Sequence, residues 1–361
     1  MPFPFHPEQY DTQLQEKALR LQSLFDGMDL PELQVFASEK QHYRMRAEFR
    51  LWHEGDRSWF AMFDPADPKT PLEVTDFPVA TELVNNLMKQ VLEAVHEDSQ
   101  LRNRLFQVEF LSTQSGDALI TLVYHKKLDE EWAERGRHWQ EQWGFPVIGR
   151  ARKQRLVLSR DYVDEILTVN GKDYQFRQYE NSFTQPNAGV CEKMVGWAQQ
   201  QAGDSEGDLL ELYCGNGNFS IPLASQFRQA LGTEISRVSV KSAQENIEAN
   251  GIENLTIMRM SSEDFSSAWS GKTTSRRFRE KGLSDYRFST LLVDPPRAGL
   301  DDGTLDLARN FDRIVYISCN PESLVANLRA LGKAYQIKAA ALFDQFPYTH
   351  HMEAGVLLER V

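Results

Sequence analysis

The chain has 361 residues, enough for two domains of ordinary size, and its 41% hydrophobic and 25% charged residues with 21 Gly and 15 Pro exclude collagen-like, low-complexity and disordered classes. Lys and Arg total 40 against 52 Asp and Glu, a formal net charge of -12, so any polyanion must be met by a local basic patch. No run approaches the roughly 18 apolar residues of a membrane span. The opening MPFPFHPEQYD has neither a basic leader nor an apolar signal core, and Cys191, Cys214 and Cys319 form neither a C-x-x-C pair nor an even framework. A cytoplasmic protein with no membrane segment, disulfide or metal is expected.

From Pro7 to Phe25 the residues Leu14, Ala18, Leu21 and Leu24 recur at helical spacing, which predicts an amphipathic scaffold helix. Between Tyr43 and Phe63 the period changes to two. Arg44, Arg46, Glu48 and Arg50 fall on one face, Met45, Ala47, Phe49 and Leu51 on the other, and the turn His53 to Asp56 returns the chain as SWFAMF. The neighbouring aromatics Phe49, Trp52, Trp59 and Phe60 can serve as core or as stacking surfaces. Further hairpins are expected around Gln114 to Asp117 and around Asn170-Gly171. Between Val147 and Asp161, Arg150, Arg152, Lys153, Arg155 and Arg160 read equally as a solvated strand edge or as phosphate contacts. This front part is α+β, and its boundary falls near Glu180, giving domains 1–180 and 181–361. Beyond it, LLELY, TLLVD and RIVYIS alternate with helix-length segments, the pattern of a doubly wound, Rossmann-like α/β domain. Ser270 to Arg287 reads as a basic surface insertion.

The segment LLELYCGNGNFS places Gly215 and Gly217 after an apolar strand, where a tight turn leaves room for a ligand. A dinucleotide fingerprint needs a third glycine where Ser220 stands, which weakens a pyrophosphate site. Glu234 ends the next strand, 17 residues after Gly217, in the position of an acid that accepts ribose hydroxyls; the combination fits an adenosyl nucleoside. WSGKTTS imitates a Walker sequence, but Ser266 occupies its first glycine position.

LLVDPPRAGL ends a strand in Asp294 and a rigid diproline loop, and Arg297 stands where enzymes that methylate exocyclic amines carry a stacking aromatic. IVYISCNPES puts Cys319 past another strand, as a buried small hydrophobe or a nucleophile on the same sheet edge. FDQFPYTHHME brings His350, His351 and Glu353 near the end of the sequence; with Cys319 they make a metal site conceivable, but helical H-E-x-x-H spacing is missing.

DPPRAG, fourteen residues, IVYISCN, and then FDQFPYTHHME, together with FTQPN at Phe183 to Asn187 and the LYCGNGNF loop, resemble the RNA uracil-5-methyltransferase family across the whole C-terminal half. The YRMRAEFRLWHEGD segment is similar to its transfer-RNA branch. Ribosomal-RNA relatives carry a four-cysteine iron-sulfur cluster, which three cysteines cannot supply. One departure is Ser323, where the family usually has threonine.

The resemblance implies that Cys319 is the nucleophile, that Glu353 is the general base, and that Gln185, Tyr213, Asn218, Glu234 and Asp294 contact S-adenosylmethionine. It implies an N-terminal α+β RNA-binding domain that grips the T-arm of transfer RNA, and a product with 5-methyluridine at position 54. The chemistry is coherent: thiolate addition at carbon 6 of uracil makes carbon 5 nucleophilic toward a sulfonium methyl, and a base then removes the carbon-5 proton. The uridine must be unstacked to be attacked on both faces. Arg297 or backbone N–H groups after Cys319 are candidates to stabilise oxygen 4. The rival readings are the same reaction on another T-loop-like RNA, and a factor that chiefly binds or refolds transfer RNA.

Overall fold

The computed structural model describes residues 5–64, 66–203, 206–273 and 283–361. The helical period at the start becomes α1 (Tyr10–Leu24), which buries Leu21 against the C-terminal half. It is followed by β1 (Leu33–Phe36), which pairs in parallel at the edge of the C-terminal sheet.

The alternating segment forms β2 (Arg46–Glu54) and β3 (Arg57–Asp64), joined through the register pair Glu54 and Arg57 so that Gly55 and Asp56 make the turn. After β4 (Asp67–Val74), α2 (Glu82–Glu97) and the short α3 (Ser99–Arg102), the second expected hairpin forms from β5 (Leu105–Ser112) and β6 (Ala118–Tyr124). The helix α4 (Glu130–Trp143) then crosses to β7 (Val147–Ala151), parallel to β6, and β8 (Gln154–Val157) closes the seven-stranded order β4-β3-β2-β5-β6-β7-β8. One face of this sheet packs Phe49, Phe60, Phe110 and Leu122 against Val84, Leu87 and Val91 of α2 and Trp132 and Trp139 of α4. Phe49 and Phe60 are therefore core, and the opposite face keeps Glu48 and Arg50 exposed.

The basic stretch 147–161 runs into the edge strand β8, with Arg152 and Lys153 exposed in the turn before it, while three of its cations pair with carboxylates of the same chain. Arg150 and Arg155 reach one oxygen of the buried Glu180 at 2.8 and 3.2 Å, and Arg160 grips Asp117 with two bonds of 2.7 and 2.6 Å. The carboxylates responsible lie 25 to 43 positions away, beyond any local pattern.

The third hairpin, β9 (Tyr162–Val169) and β10 (Lys172–Tyr179), is a separate two-stranded sheet. Asn170 and Gly171 turn it with φ of 48° and 80°, the left-handed pair that a tight hairpin of this hand requires.

The remaining chain forms α5 (Ala188–Ala202), β11 (Asp208–Leu212), α6 (Ser220–Leu223), β12 (Ala230–Glu234), α7 (Arg237–Ala249), β13 (Leu255–Arg259), α8 (Ser262–Trp269), β14 (Phe288–Val293), α9 (Asp302–Ala308), β15 (Arg313–Ser318), α10 (Pro321–Leu331), β16 (Tyr335–Phe343) and β17 (Glu353–Arg360). They build an eight-stranded sheet ordered β1-β16-β17-β15-β14-β11-β12-β13, in which only β17 runs antiparallel to its neighbours. Alternate residues feed two cores. Leu209, Leu292 and Val315 meet α5 and α7 on one face; Leu210, Leu291 and Ile314 meet α1, α8 and α10 on the other. This is the expected doubly wound, Rossmann-like domain. The strand order reverses between β11 and β14, and ligands gather in the crevice at such a switch point. Because β17 is reversed, the loop entering it joins that same edge.

Among the described residues no helix is long and apolar enough to cross a membrane. Of the basic insertion expected over residues 270–287, residues 274–282 lie outside the described residues.

Candidate active site

A cavity of about 680 Å³ opens at this carboxyl edge. It is walled by the seven residues to which the family resemblance gives a role: Gln185, Tyr213, Asn218, Glu234, Asp294, Cys319 and Glu353.

The glycine loop is shaped by three consecutive left-handed turns of the backbone at alternate positions, Tyr213, Gly215 and Gly217, with φ of 64°, 54° and 85°. A Cβ on Gly217 would stand 2.8 Å from Ile221, so close approach as well as backbone angle demands glycine there. Glu234 fastens this loop to the next one: its carboxylate accepts the N–H of Gly215 at 3.1 Å and that of Ser236 at 2.7 Å. Each oxygen keeps a lone pair for a further donor. Asn218 accepts a bond from the Cys191 thiol at 3.4 Å, while its buried amide nitrogen has no partner among the described residues. Tyr213 accepts a bond from Ser262 at 2.7 Å.

Glu211, which the sequence reading passed over, also faces the cavity. It is 1% exposed, and neither of its carboxyl oxygens finds a hydrogen-bond partner among the described residues. Burial pushes its pKa up to about 8, which favours the protonated carboxyl. The signal was a charged residue inside an apolar strand. These orphaned polar atoms and the glycine cradle fit a ligand with a polar nucleoside and a cationic group.

The reactive side of the cavity is built from two cross-tied loops. Asn320 donates from its side chain to the carbonyl of Arg297 at 2.8 Å, joining the diproline loop to the cysteine loop. Gly299, with φ of 79°, lies so close to Asn327 that a Cβ would sit 2.6 Å from its oxygen, and Asn327 accepts the N–H of Leu300. Ser323 donates to the carbonyl of Asn320 at 2.8 Å, a bond that threonine could make equally, so the departure from the family pattern keeps its function. Cys319 immediately precedes the Asn320 N-cap of α10, where the helix dipole favours a thiolate. Against this, burial above all, then Glu353 and Asp294, push the thiol up to about 11, while Arg297 pulls it down.

Glu353 is 3% exposed at the first position of β17. Its pKa is raised by burial and by the charge of Asp294, and that of Asp294 is raised by burial. Two adjacent buried carboxyls disfavour each other's ionisation, so whichever of them is ionised binds a proton more tightly than a solvated carboxylate does. Phe346 and His351 complete the wall, edge to face at 5.7 Å, and burial lowers the His351 pKa. His350 is exposed, and among the described residues no group of three or more His, Cys, Asp or Glu could hold a metal ion.

The family model described as "tRNA (Uracil-5-)-methyltransferase" matches residues 9–361. A tRNA/tmRNA (uracil-C(5))-methyltransferase of Cellvibrio japonicus (strain Ueda107) is 53% identical over 351 residues, covering 97% of this chain and 96% of the relative. A protein of the same name from Marinomonas sp. (strain MWYL1) is 52% identical over 99% of each chain. Among solved structures, the Pyrococcus abyssi tRNA (uracil-54, C5)-methyltransferase in complex with S-adenosyl-L-homocysteine shares the fold, with a TM-score of 0.75 at 20% identity over 97% of this chain and 83% of that one. The chain belongs to the tRNA (uracil-5-)-methyltransferase family.

Proposed function

We propose that this enzyme, a tRNA (uracil-5-)-methyltransferase dependent on S-adenosylmethionine, acts on the T-loop uridine at position 54 through a covalent bond between Cys319 and carbon 6. The carrying observation is that Cys319, Glu353 and Asp294 open onto the same cavity as the glycine loop and Glu234. Residues 181–361 carry the chemistry and residues 1–180 grip the T-arm, with α1 and β1 lent to the catalytic sheet. A cytoplasmic location is in keeping with three free cysteines.

Glu234 suits the ribose hydroxyls, and Gln185, Tyr213, Asn218 and Asp294 complete the set that would hold the cofactor. S-adenosylmethionine, when bound, supplies an electrophilic methyl group to carbon 5. Cys319 forms the S–C6 bond, and the displaced electron pair passes to carbon 5 and oxygen 4, near which Arg297 offers positive charge. Glu353 accepts the carbon-5 proton, the double bond re-forms, and Cys319 leaves as thiolate. A carboxylate whose proton affinity is raised by burial and by Asp294 is suited to that step.

For RNA, the exposed face of β2 offers a layered surface. Arg50 lies over Phe63 at 5.3 Å and over Phe106 at 4.8 Å, and Phe106 stacks on exposed His125 at 4.1 Å. Cation and ring faces of this kind suit phosphates and unstacked bases. A second substrate, another RNA with a T-like loop, is favoured by the tmRNA in the relatives' names.

The test is incubation with S-adenosylmethionine and unmodified transfer RNA containing 5-fluorouridine, followed by mass analysis. A Cys319 adduct to a methylated T-loop base is expected, because fluorine cannot leave as a proton does. An adduct only with another RNA overturns the substrate, and none with any RNA overturns the nucleophile. Cys319→Ala should abolish methylation while leaving transfer RNA binding; a cellular role that survives it would favour the refolding reading.

A further inference from the structure

The wall segment between β10 and α5 is anchored from the N-terminal sheet. Arg46 on β2 donates from Nη1 to the carbonyl of Glu180 at 3.1 Å and from Nη2 to the carbonyl of Ser182 at 3.0 Å. Beside it, the N–H of Met45 donates to the carbonyl of Pro186 at 2.8 Å, and the Asn187 side chain donates to Ser38 at 2.7 Å. Between these anchors the segment presents Ser182, Phe183, Thr184 and Gln185 to the cavity. The Thr184 hydroxyl is buried there without a hydrogen-bond partner among the described residues. From its own domain the segment receives the contact of Ser182 with Ser239 at 3.0 Å.

Arg46 shares one face of β2 with Glu48, Arg50 and Trp52. The strand that presents Arg50 outward thus holds, four residues earlier, the edge of the cofactor pocket. We propose that Arg46 is a positioning residue which, through the carbonyls of Glu180 and Ser182, sets the cofactor-side wall and couples RNA binding on the N-terminal sheet to cofactor binding. The coupling half rests on the reading of the β2 face as the RNA surface. A planar guanidinium with two parallel donors fixes both carbonyls in one orientation, which a lysine ammonium on a flexible stem cannot do. RNA contacts that restrain β2 therefore restrain the wall, and by linkage cofactor must strengthen RNA binding by the same factor.

The experiment is calorimetric binding of S-adenosylhomocysteine to the full chain and to Arg46→Gln and Arg46→Lys, each with and without unmodified transfer RNA, with thermal unfolding of each protein recorded. In the unsubstituted protein, transfer RNA is expected to tighten cofactor binding on the order of tenfold, within the usual range of such couplings. Arg46→Gln should weaken binding without RNA on the order of tenfold and bring the coupling factor close to one, with Arg46→Lys between the two. RNA affinity of Arg46→Gln in the absence of cofactor should stay near that of the unsubstituted protein. A natively melting Arg46→Gln with unchanged cofactor affinity and unchanged coupling overturns the proposal. If Arg46→Gln fails to fold, a folded Arg46→Lys that behaves as the unsubstituted protein overturns it equally. If the unsubstituted protein binds no RNA, the RNA reading fails, and cofactor affinity alone still decides whether Arg46 sets the wall.

Discussion

Lys17 and Asp344 stand 327 positions apart in the chain and meet at 2.7 Å in the interior. The same ammonium donates to the carbonyl of Phe346 at 2.9 Å, Gln13 accepts the N–H of Tyr348 at 2.7 Å, and Tyr43 donates to the carbonyl of Pro347 at 3.2 Å. The first helix is thereby the brace of the loop that ends in Glu353. Lys17→Met leaves Asp344, 1% exposed, as an uncompensated buried charge, and should cost about 3–5 kcal/mol in urea unfolding at neutral pH. Adding Asp344→Asn should recover part of that loss. A cost below about 1 kcal/mol, the level of a surface pair, would contradict this account.

Cys319 in the ligand-free protein should alkylate slowly at neutral pH and about tenfold faster per pH unit up to about 11, since burial and two carboxyls hold the thiol protonated. Removing the opposing charge with Arg297→Gln should slow the reaction at pH 9. Cys191, pushed up to about 12 by burial, and the buried Cys214 should stay unmodified in the folded protein. Peptide mass analysis after timed iodoacetamide exposure reads all three, and a Cys319 rate that is flat between pH 7 and 10 would refute it.

Glu211 makes stability depend on pH in a definite direction. Its folded pKa lies at about 8 against an unfolded value near 4.5, so between those values the folded state binds more protons. Its contribution is fully present below about pH 4.5 and is lost as pH rises toward 8, at no more than about 1.4 kcal/mol per pH unit. Glu211→Gln should therefore melt higher than the unsubstituted protein at pH 8 and close to it at pH 4.5. Equal melting shifts at both pH values would remove the protonated-carboxyl assignment.

The layered face of Arg50, Phe63, Phe106 and His125 gives a prediction for RNA. Phe106→Ala should weaken transfer RNA binding by about 1–3 kcal/mol with cofactor affinity unchanged, as expected for loss of one stacked base. Arg50→Gln should instead lower the slope of log affinity against log salt by about one if it meets a phosphate. Filter binding across a salt series separates the two. An unchanged affinity for both variants would move the RNA surface elsewhere.

The hairpins were legible because period-two alternation and turn residues act over a few positions: Asn170-Gly171 needs only its own backbone angles to turn. The site motifs were legible for a similar reason. An apolar strand followed by Gly, Pro or Cys marks a carboxyl edge, and parallel strands in one doubly wound sheet must bring their carboxyl edges together. The ion pairs of the basic stretch were not legible, because their carboxylates, Glu180 and Asp117, are remote, and sequence spacing carries no information on which charges meet.

What the sequence determined by itself, then, was chemistry of short range: which residues could turn, bind or react, and the strand ends on which they sit. Tertiary structure alone decided that β1 and α1 complete the C-terminal half, that Lys17 is interior, that Glu211 is buried beside the cavity, and that Arg46 reaches the pocket wall from another sheet. Each of these depends on burial or on contacts between distant segments, where the cost of desolvating a charge is met by a partner that only the folded chain brings near.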